Sequence, residues 1–79
     1  MAIIVNVHNY AGTRDTLSAR IDRSPARYGL DLVSAGARCN VPAIVERIEA
    51  GDIVHIEQFD VTVYLADVPA GTVRRNWSA

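Results

Sequence analysis

Between residues 53 and 65 the alternation of apolar side chains changes phase. Val54 and Ile56 are apolar at even positions, whereas Phe59, Val61, Val63 and Leu65 are apolar at odd ones. A shift of one residue carries every side chain of a strand to the opposite face, so one straight strand cannot bury both sets on one side. The stretch predicts two strands, about Ile53 to Glu57 and Val61 to Ala66, with a tight turn near Glu57 to Asp60. One long bulged strand is the alternative.

Valine and isoleucine outnumber leucine by 17 to 4, which favours pleated, half-buried surfaces over helices. Ile3, Val5 and Val7 alternate with Ile4, Asn6 and His8, predicting a first strand from about Ala2 to His8, followed by a loop at Asn9-Tyr10-Ala11-Gly12. Leu17, Ala19 and Ile21, then Tyr28, Leu30 and Leu32, alternate with polar residues on either side of Ser24-Pro25, the pattern of a hairpin with proline in its turn. A helix from Thr13 to Arg23 competes, with Thr13 as cap and Arg20 and Arg23 near its end, but only Leu17 and Ile21 would share its apolar face. The hairpin is preferred.

One helix is expected, from about Val41 to Ala50. Asn40 can cap it, Pro42 is tolerated in its first turn, Val41, Ile44, Val45 and Ile48 form an apolar stripe, and Gly51 can close it. Pro69-Ala70-Gly71 ends the last long strand. The order is β-β-β-α-β-β, an α+β fold: a small antiparallel sheet with one helix packed on one face. The chain of 79 residues reads as a single domain in which residues 68–79 form an edge strand or a flexible tail.

A chain this short builds a small core and commonly needs extra stabilisation. Cys39 is the only cysteine, so no disulfide forms within the chain, and with His8 and His55 far apart in sequence no spaced zinc-ligand set is present. Neither metal nor cofactor is expected. Self-association is the remaining common device, and a homo-oligomer is the expectation. The apolar start Met1-Ala2-Ile3-Ile4-Val5 ends at Asn6, too soon for a signal peptide, and no stretch reaches membrane-spanning length, so a cytoplasmic location without membrane contact is expected.

Residues capable of chemistry are few. Cys39 lies just before the helix cap, where N–H groups can lower a thiol pKa, but a nucleophile would need His8 or His55 beside it and a carboxylate to orient the ring. A buried cysteine at an element boundary is the simpler reading. His55 and Glu57 share one face of their strand with Asp60 just beyond, a conceivable histidine and carboxylate cluster, whose simpler reading is an ordinary polar strand face. No glycine-rich phosphate loop or metal-binding helix motif occurs, and a substrate pocket would consume much of so small a core. The expectation is a protein that is not an enzyme.

Charge is more informative. The formal net charge is −1, which excludes both a chain-wide basic footprint for nucleic acid and an acidic DNA mimic. That total is a cancellation. Up to Arg38 five arginines face three acids, a net of +2; from Cys39 onward three arginines face six acids, a net of −3. All eight positive residues are arginine, whose fork pairs with carboxylate or phosphate. In the hairpin reading Arg20 and Arg27 project from one face, with Arg14 and Arg23 at its ends. Arg74, Arg75 and Trp77 near the C-terminus are of the types enriched at interface hot spots. These seven residues are the candidate partner-binding set.

The expected function is a small protein-binding module. By analogy with short phage and mobile-element products, it would be an inhibitor that obstructs a host complex, or a viral protein that assembles on a particle. The alternative is a dimeric nucleic-acid-binding regulator. Val45-Glu46-Arg47-Ile48-Glu49-Ala50-Gly51-Asp52, followed by two strands, resembles the helix-and-hairpin part of Phd-type antitoxins, which implies dimerisation and operator DNA binding. The resemblance covers about a quarter of the chain. Departures from that family are the extra hairpin of the first half, the missing toxin-binding extension and an acidic helix, and the family is not adopted.

Overall fold

The computed structural model describes residues 2–36 and 40–78. Its elements are β1 (Ile3–Tyr10), β2 (Asp15–Ile21), α1 (Pro25–Ser34), α2 (Val41–Glu49), β3 (Ile53–Ile56), β4 (Val61–Leu65) and β5 (Arg74–Trp77). The fold is α+β, with a mixed sheet in the order β2-β1-β4-β3-β5 and two helices. All pairings are antiparallel except that of β3 with β5, which is parallel.

The phase change resolves as a turn. Val54 and Ile56 of β3 lie opposite Val63 and Val61 of β4, and residues 57–60 absorb the slip. Asp60 takes φ of +50°, a conformation that a short polar side chain tolerates. Phe59, apolar at an odd position like Val61 and Val63, lies in the expected turn and is exposed. Val5 and Val7 of β1 pair with Val63 and Val61, so the first strand and the C-terminal hairpin turn their apolar residues to one face. On that face Ile3, Val5, Val54, Ile56, Val61 and Val63 meet Ile44 and Ile48 of α2 in the core.

The Val41 helix forms as expected. The Asn40 side chain accepts from the Ala43 N–H at 3.4 Å. At the other end the Gly51 N–H donates to the Ile48 carbonyl and the Asp52 N–H to the Arg47 carbonyl, with Gly51 at φ +93°. This double closure needs a left-handed residue at position 51, which glycine adopts without a Cβ penalty.

The expected order β-β-β-α-β-β is corrected to β-β-α-α-β-β-β, and the wholly antiparallel sheet to a mixed one. The second arm of the Pro25 hairpin is helix α1. Ser24 is its cap, accepting from the Arg27 N–H at 3.2 Å, and Pro25 occupies the first turn, where its missing N–H costs nothing. Pro25 and Gly29 are buried, and Tyr28 and Leu32 pack on the core. The first arm is a strand, which also removes the Thr13 to Arg23 helix, but β2 pairs with β1. The first strand runs past His8 to Tyr10 through an irregularity between Val7 and Tyr10, where Asn9 has φ +53°. The C-terminal segment is an edge strand, β5.

Candidate functional site

Two arrangements stand out, one on each side of the sheet. The first is polar and lies on the face away from the helices. Thr62 of β4 is in register with Asn6 of β1 and with His55 of β3, and its neighbours Val61 and Val63 point into the core. His8 Nε2 lies 2.8 Å from Thr62 Oγ1 and His55 Nδ1 lies 2.9 Å from the same oxygen. His55 Nε2 is 3.3 Å from Asp60 Oδ1, and Thr16 Oγ1 is 3.5 Å from His8 Nδ1. The two rings are tilted with centroids 5.5 Å apart.

With both rings neutral, the carboxylate fixes the direction of every bond. Asp60 only accepts, so His55 carries its proton on Nε2 and leaves Nδ1 to accept from the Thr62 hydroxyl. Thr62 then accepts from His8 Nε2–H, and His8 Nδ1 faces the Thr16 hydroxyl. Hydroxyl, imidazole and carboxylate follow one another in the order of an acyl-transfer triad. Thr62, however, is only 5% exposed, and its oxygen is already engaged by His8. His8 takes one of the two lone pairs of that oxygen, and the burial of Thr62 leaves little access to the other. The cluster acts as a polar lock across β1, β4 and β3.

Of the expected cluster, His55 and Asp60 do meet. Glu57 instead accepts from the Ser78 hydroxyl at 2.9 Å. His8, Thr62 and Thr16 were missed. The even-position signal was present in each strand, but the pairing of β1 with β4 was not legible. Cys39 lies outside the described residues. Among the described residues no group of three or more His, Cys, Asp or Glu side chains is placed to hold a metal ion.

The second arrangement is apolar and lies in the helical layer. Gly29 of α1 sits so close to α2 that a Cβ there would lie 2.5 Å from Val45 Cγ2 and 3.1 Å from Val41 Cγ1. This close approach leaves a groove of about 300 Å³ on the layer, lined by Ala26, Gly29, Leu30 and Val33 of α1 and by Val41, Pro42 and Val45 of α2. Leu30 is 62% exposed and Val33 56%. Core-facing Pro25, Tyr28, Gly29 and Leu32 occupy one side of α1, and Ala26, Leu30 and Val33, spaced i, i+4, i+7, form a second apolar ridge on it. A helix with two apolar faces has more hydrophobic surface than its own core covers. The lining is apolar; outside it Arg27 follows Ala26 on α1, with Asp31 one turn on and paired with Arg23, and exposed Glu46 and Glu49 lie one turn beyond Pro42 and Val45 on α2.

The seven candidate binding residues do not form one surface. Arg14 is exposed in the β1–β2 turn at φ +64°, its N–H bound to Asn9 Oδ1 at 2.9 Å. Arg20 is on edge strand β2, 3.7 Å from Asp22. Arg23 pairs with Asp31. Arg27 is on α1, so Arg20 and Arg27 share no sheet face, a correction that follows from the helix. Arg74 and Arg75 lie on the opposite edge strand, with Arg75 3.4 Å from Asp52. Trp77 is half-buried against the core.

Among the described residues no helix is long and apolar enough to cross a membrane. Comparison with protein-family models, with curated proteins and with solved structures finds no match for this chain.

Proposed function

We propose that the chain is a protein-binding module whose α1–α2 groove receives the apolar ridge of an amphipathic helix. The observation that carries this reading is the exposure of Leu30 and Val33 on the rim of an apolar groove. Exposed apolar surface gathered around a concavity is characteristic of interaction sites, whereas scattered exposed residues are ordinary. A helix is the fitting ligand because ridges of side chains on one helix pack into grooves between others. The unlike charges outside the lining ask that helix for basic residues along the flank over α2 and acidic ones along the flank over α1.

A nucleic-acid reading would need an assembled arginine surface. Here Arg20, Arg23 and Arg75 each face a carboxylate, and among the described residues the arginines are divided between the β1–β2 turn, both sheet edges, the loop before α1 and the two helices. No observation favours it.

Leu30→Asp tests the groove. Leu30 faces solvent in the single chain, so the substitution is expected to leave the unfolding free energy of the monomer within about 0.5 kcal/mol of wild type. Binding of a partner captured stoichiometrically by the wild-type chain is expected to weaken about tenfold, near 1.4 kcal/mol. A partner held equally by both chains would place the binding surface elsewhere.

A further inference from the structure

We infer that the helix received by the groove is α1 of a second copy of this chain, an inference that rests on the docking reading above. A second copy carries what the groove asks for, an apolar ridge with a basic flank from α1 and an acidic flank from α2. The α1 ridge of Ala26, Leu30 and Val33 is apolar and exposed, and Arg27 lies on its flank. Two copies related by a two-fold axis running along the helices place α1 of each on α2 of the other, an isologous contact that closes on itself. Leu30 of each copy then covers the Pro42 and Val45 side of its partner's groove.

Charge supports this arrangement. Arg27 of one copy meets the Glu46 rim of the other, twice by symmetry. Among the described residues Arg27, Glu46 and Glu49 make no ion pair within the chain. The alternative two-fold arrangement, α1 against α1, sets α2 against α2 and leaves both glutamates away from Arg27.

The contact is modest. Two helices of 10 and 9 residues bury on the order of 1,000 Å² in total when laid face to face, the low end for a specific association. A dimer with a dissociation constant in the micromolar range is expected.

Sedimentation equilibrium of the full chain tests this with Leu30→Asp, Arg27→Glu, Glu46→Arg and the double variant Arg27→Glu/Glu46→Arg. The wild type is expected to dimerise, and Leu30→Asp to weaken the dimer about tenfold. Either charge reversal alone is expected to weaken it about threefold, and the double variant to recover the wild-type constant. Ser18→Pro in edge strand β2 is expected to leave the constant unchanged. A monomer at about 0.5 mM, or a dimer broken by Ser18→Pro and indifferent to Leu30→Asp, would overturn the inference. If the chain is monomeric while Leu30→Asp still releases a captured partner, the self-association fails and the groove reading stands. If neither association nor capture responds to Leu30→Asp, both fail.

Discussion

Gly29→Ala is expected to destabilise the protein by about 1–3 kcal/mol. In an exposed helix interior the same change would stabilise by about 1 kcal/mol, because glycine there costs backbone entropy and returns no packing. Here the new methyl would lie 2.5 Å from Val45 Cγ2 and 3.1 Å from Val41 Cγ1. Val45 is β-branched and stiff in a helix, and Val41 is buried, so relief requires α1 to move away from α2. The groove would widen with that movement, which couples a packing defect to the proposed binding surface. Val45→Ala supplies the control: the double variant Gly29→Ala/Val45→Ala should be more stable than the sum of the two single losses, because the clashing methyl is gone. Urea unfolding measures all three. A stabilised Gly29→Ala would show that the helices are not in close contact.

Thr62→Val is expected to cost about 1–3 kcal/mol, whereas Thr62→Ser should stay within about 1 kcal/mol of wild type. Valine preserves the shape and removes the hydroxyl that joins the two rings. His8 Nε2–H then loses its acceptor and His55 Nδ1 its donor beneath a face that water reaches poorly, with Thr62 5% exposed. The nitrogen chemical shifts of the rings provide an independent readout. In the wild type both rings should carry the proton on Nε2, and in Thr62→Val His8 should lose that preference while His55, still held by Asp60, keeps it. A Thr62→Val protein as stable as wild type, with unchanged ring shifts, would remove the lock.

How far the sequence reached differs from element to element. The helix from Val41 was legible because its cap, stripe and closing glycine agree with one another. The turn before Val61 was legible from hydrophobic phase alone, although the residue at positive φ is an aspartate and not a glycine. Helix α1 was misread because Tyr28, Leu30 and Leu32 satisfy a period of two while Pro25, Tyr28, Gly29 and Leu32 satisfy a helical one. Glycine in mid-helix and proline after serine tipped local preference towards a turn and strand. Tertiary packing decided otherwise: the glycine is where two helices touch, and the proline is where one begins.

That single misreading hid the candidate site. In the hairpin reading Leu30 pointed into the core with Leu32, whereas in the helix it turns away from Leu32 and stands on the groove rim. The arginine face was lost for the same reason, since Arg20 and Arg27 came together only if residues 25–34 were a strand. The split of charge along the chain keeps a structural meaning in the helical layer. Arg27 flanks one side of the groove, and Glu46 and Glu49 flank the other. The histidine cluster was half legible, because His55 and Asp60 are joined by a short turn while His8 reaches them only through strand order.

In the proposed dimer each α1–α2 groove is covered by a helix of the other copy. Amide chemical shifts of the isotopically labelled chain, followed on dilution from about 1 mM to about 20 μM, test it most directly. Shifts that change along Ala26 to Val33 and Val41 to Glu46, with β2 unmoved, are the expected result. Changes confined to Asp15–Ile21, or no changes over that range, would contradict it.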